Sequence, residues 1–366
     1  MRAGRTNIYM LSTIRTSGAL LVVSSLVGVG GCVRTKPPVM SPSAAESCRS
    51  GTMRWFGPDD TRDRHRLSAW CAGVGQPVVQ LVPPLNATGA PPADAASTSP
   101  VSIEDVVFVT WNVHVGNGDL NTFVRDLRAG VLTDGKPVNH FVLMLQEAVR
   151  GRDVPTYDAG ASAARRIAAR ASHALDIVDL SRDLGLSLIY VPSMRNGHSA
   201  RLEATDRGSA ILATVPLGDP IAVELPGERQ RRVAIFAKLL LPSEGASPVS
   251  VGVVHLDAFG APRRLWIFGT SSVRHLQVKA MAPLMPETNL VLGADLNTWH
   301  GPREAAARFL ETLFGTRVSM ARDRPGIRVL DYLFFRLAGN LAAQCTITAN
   351  DYGSDHHPLI GRIVRP

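Results

Sequence analysis

The stretch Asn289-Leu290-Val291-Leu292-Gly293-Ala294-Asp295-Leu296-Asn297 decides the fold that we predict for this chain. An apolar run leads to an aspartate, and an asparagine follows two positions later. A strand of this kind buries its apolar body and presents its polar end at the edge of a sheet. Asp295 and Asn297 should point the same way there, because side chains two residues apart share one face of a strand. An Asx turn that merely closes the strand is the alternative.

Other segments end in the same way. They are VVFVTWN, ending at Asn112; FVLMLQE, ending at Glu147; VSVGVVHLD, with His255 and Asp257; VLDYLF, with Asp331; and the segment GSDHHP, with Asp355 and His356. Together they contribute carboxylates, amides and imidazoles from strands that are far apart in sequence. The pattern predicts an active site at one edge of a sheet, and the oxygen-rich set favours a metal-assisted reaction.

The residue types suggest roles. A carboxylate beside an amide, as in Glu147 and Asn112, suits a hard cation such as Mg²⁺; a simple ion pair between Glu147 and the Arg150/Arg152 loop is the alternative. Asp295 could orient or deprotonate a water, and Asn297 could donate a hydrogen bond to a phosphate oxygen.

The segment Ser354–Pro358 is the most specific local signal. Asp355 adds a hard ligand, and His356 can act on a phosphoryl group if a carboxylate fixes its tautomer. Asp331 is the candidate for that carboxylate. We interpret His357 as a structural neighbour, and His255 as a second imidazole at the same edge.

Three features are weaker. Asp257 is interpreted as a surface cap rather than a ligand. His114 could line the pocket or lie on a solvated loop. The arginines Arg229, Arg231 and Arg232 could touch a phosphate backbone, although a solvated hairpin edge is the favoured interpretation.

Length and composition fit one large α/β domain. The protein has 366 residues, 45% of them hydrophobic, and a formal charge of +8. Several predicted strands, among them 208–214 and 232–241, follow one another too closely for a crossover helix, so the sheet must be partly antiparallel. Helices are predicted over 160–178, 263–280 and 302–314. We find no P-loop, no Rossmann glycine fingerprint, no G-x-S-x-G elbow and no H-E-x-x-H motif.

The N-terminal segment predicts export. A basic lead and a short apolar stretch end in Val29-Gly30-Gly31-Cys32, which resembles a bacterial lipobox with Cys32 as the lipidated residue. We therefore expect a lipoprotein signal over 1–31 and an outer-membrane location; an ordinary secretory signal is the alternative.

Composition also divides the rest of the sequence. We expect a tether and a small N-terminal segment over 32–101, in which Cys48 and Cys71 pair in an oxidising compartment, and a catalytic domain over 102–366. Cys345 is interpreted as a buried thiol.

The ordered motifs resemble those of the endonuclease/exonuclease/phosphatase (deoxyribonuclease I-like) family. They are Trp111-Asn112, Gln146-Glu147, the His255 strand, Gly293–Asn297, Leu330-Asp331-Tyr332 and Ser354-Asp355-His356. Two weaker likenesses are Gly208–Leu212, with Ser209 where the family has asparagine, and an R-x-x-Q pattern at Arg274 and Gln277.

The resemblance implies a four-layer sandwich of two mostly antiparallel, mixed β-sheets flanked by helices. It also implies attack of water on a phosphoester with the help of Mg²⁺, or of Mn²⁺. The implied metal ligands are Asn112, Glu147 and Asp355; the implied catalytic residues are His255, Asp295, Asn297, Asp331 and His356; and the candidate substrate-binding residues are Arg207, Ser209 and His114.

Several functions fit this site. We expect a lipid-anchored phosphodiesterase, a monomer, that acts on DNA or RNA. A sphingomyelinase-like or inositol-phosphate phosphoesterase is the alternative within the enzyme class, and a non-catalytic surface lipoprotein is the alternative outside it. A nuclease needs a basic groove with aromatic side chains, and only 6% of the residues are aromatic.

Overall fold

The computed structural model describes most of the protein from residue 36 onward. The described residues are 36–42, 48, 52–81, 101–155, 175–198, 201–227, 230–241, 248–259, 266–287, 289–315, 319–322 and 329–366. They belong to one compact unit, Thr35–Pro366. The predicted signal segment with Cys32, most of the predicted helix 160–178, and Arg229 lie outside the described residues.

The described residues form fifteen strands and five α-helices. The strands are β1 (Met40–Ser41), β2 (Arg54–Pro58), β3 (Val78–Gln80), β4 (Val106–Asn112), β5 (His140–Arg150), β6 (Ser187–His198), β7 (Arg201–Ala213), β8 (Leu217–Leu225), β9 (Arg232–Leu239), β10 (Val249–His255), β11 (Asn289–Asp295), β12 (Ser319–Arg322), β13 (Val329–Arg336), β14 (Ala342–Ile347) and β15 (Leu359–Val364). The helices are α1 (Thr61–Ala72), α2 (Leu120–Arg128), α3 (Ile177–Asp183), α4 (Trp266–Met281) and α5 (Ala305–Phe314).

Short polar side chains and a glycine set the helix ends. Asp60, Asp119 and Asp176 accept hydrogen bonds from backbone N–H groups in the first turns of α1, α2 and α3, which satisfies donors that have no partner within the helix. Helix α5 ends at Gly315, whose φ of 63° is a left-handed conformation that glycine adopts without steric cost.

The strands form two mixed sheets. One has the order β1-β2-β8-β9-β10-β11-β13-β12, and the other has the order β14-β15-β4-β5-β7-β6-β3. Each sheet contains a central parallel pair, β10 with β11 and β4 with β5, and β2 pairs in parallel with β8. The remaining pairs are antiparallel, as the short intervals between strands require.

Apolar side chains form three clusters between the layers of sheets and helices. The inner faces of both sheets share one core, which includes Phe108 of β4 and Val291 of β11. A second cluster lies between the β4–β5 sheet and the helices α2 and α3, and a third lies between the other sheet and the helices α4 and α5. The predicted four-layer sandwich of two face-to-face sheets and flanking helices is confirmed.

At Gly293 the two sheets lie close together. A Cβ atom at this position would lie 2.6 Å from Oγ1 of Thr110 on β4 and 2.9 Å from Cβ of Met144 on β5. Real side chains do not approach this closely, so a residue with no Cβ lets the two sheets meet immediately before Asp295.

The compact unit extends further toward the N-terminus than the catalytic domain expected over 102–366. Strands β1 and β2 extend one sheet and β3 extends the other, because their backbone groups pair with the edge strands β8 and β6. Cys48 and Cys71 form a disulfide with Cα atoms 5.3 Å apart. The composition change near residue 102 therefore does not separate two compact units.

The other predicted elements match the described ones with shifted ends. The helix predicted over 302–314 is a short 3-10 turn (Gly301–Arg303) followed by α5, and the helix predicted over 263–280 is α4. Cys345 is only partly buried on β14, because that strand lies at the edge of its sheet. Among the described residues, the helices are too short or too polar to cross a membrane.

Candidate active site

The polar strand ends meet where the two sheets lie together. Asn112 ends β4, and Asp295 ends β11 of the other sheet. Nδ2 of Asn112 donates a 2.8 Å hydrogen bond to Oδ2 of Asp295, so this bond joins the two sheets at their common edge. In the strand register, Asp295 also lies beside His255 of β10 and beside Asp331 of β13.

His356 and Asp331 form a buried pair. Nδ1 of His356 lies 2.6 Å from Oδ2 of Asp331, the distance of a charge-assisted hydrogen bond. Burial alone would disfavour the imidazolium, but the charge of Asp331 and its hydrogen bond outweigh burial and raise the pKa of His356 to about 10. The imidazole therefore carries a proton at neutral pH, with Nε2 on the side opposite Asp331.

The backbone around His356 is tied to β4. The indole N–H of Trp111 donates to the carbonyl of His356 at 3.0 Å. The hydroxyl of Ser354 donates to the carbonyl of Asn112 at 2.7 Å and accepts from the N–H of His356 at 3.1 Å. Two of the sequence motifs, Trp111-Asn112 and Ser354-Asp355-His356, thus hold each other in place.

Asp295 is oriented from several directions. Its Oδ1 accepts from the N–H of Asn297 at 2.9 Å, and its Oδ2 lies 3.4 Å from Nε2 of His255 in addition to the bond from Asn112. Burial and the neighbouring carboxylate of Asp331 raise the pKa of Asp295 to about 7. Burial, with the cations Arg232 and Arg207 nearby, lowers the pKa of His255 well below its ordinary value, so His255 is neutral.

Glu147 occupies a distorted position in β5. The pairing of β5 with β7 shifts register between Leu145 and Ala148, and Glu147 has a φ of 58°. Such left-handed residues at β-bulges re-aim a side chain at a backbone cost. Oε2 of Glu147 accepts from the N–H of Val115 at 3.1 Å and from Nη1 of Arg207 at 3.1 Å.

The alternative partner for Glu147 is excluded by the contacts of the two neighbouring arginines. Arg150 pairs with Asp206 at 2.8 Å, and Arg152 pairs with Asp179 at 2.9 Å. Arg207, a candidate substrate-binding residue, is the arginine that contacts Glu147.

Asp355 faces His114. Oδ1 of Asp355 lies 2.5 Å from Nδ1 of His114. This hydrogen bond raises the pKa of His114, and although burial opposes it, the bond contributes to lowering the pKa of Asp355. His114 lies on a turn just after Asn112, with a φ of 46°, and its contact with Asp355 links it to the candidate site.

At this edge, two sets of described residues are candidates for holding a metal ion. Ligand atoms of Asp295, Asp331 and His356 lie within 4.8 Å of one another, although His356 and Asp331 already bond each other. The expected set of Asn112, Glu147 and Asp355 supplies hard oxygen ligands. The side chains of Glu147 and Asp355 keep 17% and 44% of their surface exposed, which fits a cation that retains several waters.

Several solved structures resemble the protein. No protein-family model and no curated protein sequence matches it. One similar structure, described as an endonuclease/exonuclease/phosphatase from Beutenbergia cavernae, is 16% identical over 70% of both chains with a TM-score of 0.48. The human Nocturnin catalytic domain is 15% identical over 73% of this chain and 97% of its own, with a TM-score of 0.46. Sphingomyelinase C from Streptomyces griseocarneus is 15% identical over 70% and 98%, with a TM-score of 0.38.

The layers, the parallel pair in each sheet and the ordered strand-end residues decide the fold. The protein has the endonuclease/exonuclease/phosphatase fold. The resemblance found in the sequence is confirmed at this level. In this fold, the carboxyl ends of β4, β10 and β11 and the start of β13 supply the candidate site, and the loop before β15 closes it with Asp355 and His356.

The remaining predicted residues lie near the same edge. Asn297 has a φ of 50° and donates from Nδ2 to the carbonyl of Leu256 at 3.0 Å. Ser209 is buried on β7 opposite Val191 of β6. His357 lies outside the Asp331–His356 pair, with Nδ1 at 3.1 Å from the carbonyl of Thr348, in agreement with its interpretation as a structural neighbour.

The interpretation of the arginine cluster as a solvated hairpin edge is wrong for Arg231 and Arg232, which are both buried. Arg231 pairs with Glu224 on the adjacent strand. Arg232 has a buried Nε without a hydrogen-bond partner, and burial lowers its pKa although Asp257 and Glu147 oppose the effect. Arg231 is covered by Trp55 of β2, whose ring centroid lies 5.9 Å from its guanidinium carbon, and by β6, whose Pro192 carbonyl accepts its hydrogen bond; periodicity alone does not show these contacts.

Asp257 is a cap, but it is buried rather than on the surface. Its Oδ1 accepts from the N–H of Phe259 at 2.9 Å. Arg274 donates to the carbonyl of Asp257 at 3.3 Å, and Oε1 of Gln277 accepts from its N–H at 3.0 Å. The R-x-x-Q pattern of α4 therefore fixes the loop that follows β10.

Two aromatic residues at this edge have no counterpart in the sequence prediction. Phe259 and Trp299 each follow a polar strand end by a few residues, and their rings meet edge to face with centroids 6.2 Å apart. The spacing of Trp299 from Asn297 is the signal in the sequence that could have identified it.

Proposed function

We propose that this protein is a divalent-metal-dependent phosphodiesterase that hydrolyses nucleic acid. The observation that carries the proposal is the arrangement of the buried Asp331–His356 pair beside Asp295, which is bonded in turn to Asn112. The pKa of His356 is raised to about 10, so its imidazole can act as a cation that stabilises negative charge. The pKa of Asp295 is raised to about 7, so its carboxylate can accept a proton near neutral pH.

The residues divide the reaction between them. A water attacks phosphorus, the ester P–O bond breaks, and Asp295 accepts the proton of the water as the new P–O bond forms. The imidazolium of His356, held by Asp331, stabilises the negative charge and supplies a proton to the leaving oxygen. Asn297 and neutral His255 donate hydrogen bonds to the phosphoryl oxygens, with Arg207 beside them.

Asn112, Glu147 and Asp355 would hold the metal. When bound, Mg²⁺ polarises the phosphoryl oxygens and neutralises part of their charge. The hard oxygen donors and their partial exposure support Mg²⁺, and Mn²⁺ should substitute because it accepts the same ligands. The hydrogen bonds from Val115 and Arg207 hold the carboxylate of Glu147 in place.

The first experiment is nicking of supercoiled plasmid DNA by the purified protein, with Mg²⁺ and with EDTA. The proposal predicts conversion to open-circular DNA in Mg²⁺ and none in EDTA. RNA, sphingomyelin vesicles and an inositol phosphate are tested in parallel. Release of phosphocholine or phosphate without cleavage of DNA or RNA would reject the nuclease assignment and favour the lipid or inositol-phosphate alternative. Inactivity on all four substrates would contradict a phosphodiesterase.

Export and anchoring are a separate part of the proposal. They rest on the basic lead, the apolar stretch and the Val29-Gly30-Gly31-Cys32 segment. The disulfide between Cys48 and Cys71 is consistent with an oxidising compartment. Labelling of the expressed protein with a radioactive fatty acid, and its loss in a Cys32→Ser variant, would test the lipid anchor. Size-exclusion chromatography would test the expected monomer.

A further inference from the structure

An aromatic pair stands at the rim of the candidate site. Trp299 lies two residues beyond Asn297, and Phe259 lies two residues beyond Asp257. The rings of Phe259 and Trp299 make an interplanar angle of 72°. Phe259 is 45% exposed, and its backbone N–H donates to Oδ1 of Asp257 at 2.9 Å. The pair thus offers exposed aromatic surface next to the residues that would act on phosphorus.

A cleft continues from Trp299 across the surface of α4 and α5. Its volume is about 690 Å³, and its lining includes Trp299, His300, Arg303, Arg308 and Ser271. The 3-10 turn Gly301–Arg303 directs the main chain from the catalytic edge into α5. The cleft therefore follows directly in sequence from the strand end that carries Asp295 and Asn297.

The cleft carries positive charge that the described part of the protein does not neutralise. Arg303 and Arg308 are exposed, and neither side chain forms a hydrogen bond or an ion pair with any described residue. The acidic residue in the lining, Glu304, is buried and bonded by both of its oxygens to Arg274. Two unpaired guanidinium groups beside an aromatic ring match a chain of phosphates with attached bases.

We propose that this cleft binds the single-stranded polynucleotide that flanks the scissile phosphate. A base stacks on Trp299, and the guanidinium groups of Arg303 and Arg308 pair with backbone phosphates. The proposal rests on the proposed function and specifies its substrate class. A lipid surface fits less well, because none of the exposed large hydrophobic residues in the described part of the protein lines this cleft.

Binding without cleavage is the first test. A fluorescein-labelled oligothymidylate is titrated in EDTA against the wild-type protein, Trp299→Ala and Arg303→Ala/Arg308→Ala. Loss of one stacking contact should weaken binding by about tenfold. Loss of two phosphate contacts should reduce the slope of log K against log salt concentration by about 1.4. The matched control is Arg125→Ala/Arg182→Ala, two exposed arginines on α2 and α3, which should bind like the wild type.

Turnover separates this inference from the proposed function. In Mg²⁺, the Trp299→Ala variant should lose about tenfold more of its kcat/KM on the oligonucleotide than on bis(p-nitrophenyl) phosphate. Equal losses on both substrates, or oligonucleotide binding and a salt slope like those of the wild type, would overturn the inference. Losses confined to sphingomyelin vesicles would overturn it in favour of a lipid surface. A wild-type protein that binds the oligonucleotide through the cleft and hydrolyses neither substrate would contradict the proposed function alone.

Discussion

Replacement of Asp331 by asparagine should lower the pKa of His356, so that the imidazole loses its proton more readily. The variant keeps the shape of the side chain and an acceptor oxygen, but it removes the negative charge that lies 2.6 Å from Nδ1 of His356. The pKa of about 10, against an ordinary value of 6.5, corresponds to a preference of roughly 5 kcal/mol for the charged imidazole. Without Asp331, burial is opposed by the more weakly coupled Asp295 and Asp355, and the pKa of His356 should fall by about two to three pH units.

Two measurements report this change. NMR titration of the His356 ring protons in EDTA gives the pKa directly. Plasmid nicking in Mg²⁺ between pH 6 and 9 gives the activity, which should fall by about two- to tenfold at pH 8 in Asp331→Asn, since a pKa lower by about two to three units leaves roughly 10% to 50% of the imidazole protonated at that pH. The loss should be smaller at pH 6, where more of the imidazole is protonated.

The matched control is Asp179→Asn, because Asp179 is a surface carboxylate that pairs with Arg152 and Arg182. This variant should titrate and cleave like the wild type. An unchanged pKa of His356 in Asp331→Asn would refute the electrostatic argument. A lowered pKa with full activity at pH 8 would refute the role of the imidazolium in the reaction.

Three further predictions test other parts of the account. Glu147→Gln should raise the Mg²⁺ concentration needed for half-maximal activity by at least roughly 10- to 100-fold, because loss of a residue that only supports a metal ligand already costs that much in metal affinity. An unchanged Mg²⁺ dependence would show that Glu147 is not a metal ligand. Gly293→Ala should lower the free energy of unfolding in urea by about 1 to 3 kcal/mol, since its Cβ would lie 2.6 Å from Oγ1 of Thr110; wild-type stability would mean that the sheets do not approach here. Asp295→Asn should remove a loss of stability between pH 4 and 7 in EDTA, because the folded protein keeps the Asp295 proton up to a pKa of about 7 whereas the unfolded protein releases it near 3.8. Between pH 4 and 7, the difference in unfolding free energy between the wild type and Asp295→Asn should change by up to about 4 kcal/mol. Parallel pH curves for the two proteins would contradict the raised pKa of Asp295.

The strand ends could be predicted from the sequence because each apolar run stops at a polar group. Asn112, His255 and Asp295 lie at the ends of fully buried strands, and the parallel pairing of neighbours brings such ends to one edge. The pairing of Asp331 with His356 followed from chemistry, since an imidazole that acts as a catalyst needs an orienting carboxylate.

Other features depend on contacts that a single sequence does not contain. The left-handed backbone of Glu147 arises where β5 and β7 shift register, and that register is set by packing across the sheets. The burial of Arg231 depends on contacts with Trp55 and Pro192, which lie far from it in sequence. Likewise, strands β1 to β3 are too short to be recognised by periodicity, and pairing with the edges of the two sheets stabilises them.

A comparison of two adjacent histidines tests whether the Asp331–His356 pair takes part in phosphodiester hydrolysis. The measurement is the initial rate of Mg²⁺-dependent plasmid nicking by His356→Ala and by His357→Ala, with thermal unfolding of both variants. His356 bonds Asp331, whereas His357 faces the carbonyl of Thr348. The account predicts that nicking falls by about 10²-fold or more in His356→Ala and stays near the wild-type rate in His357→Ala. Wild-type activity in a folded His356→Ala variant would contradict it.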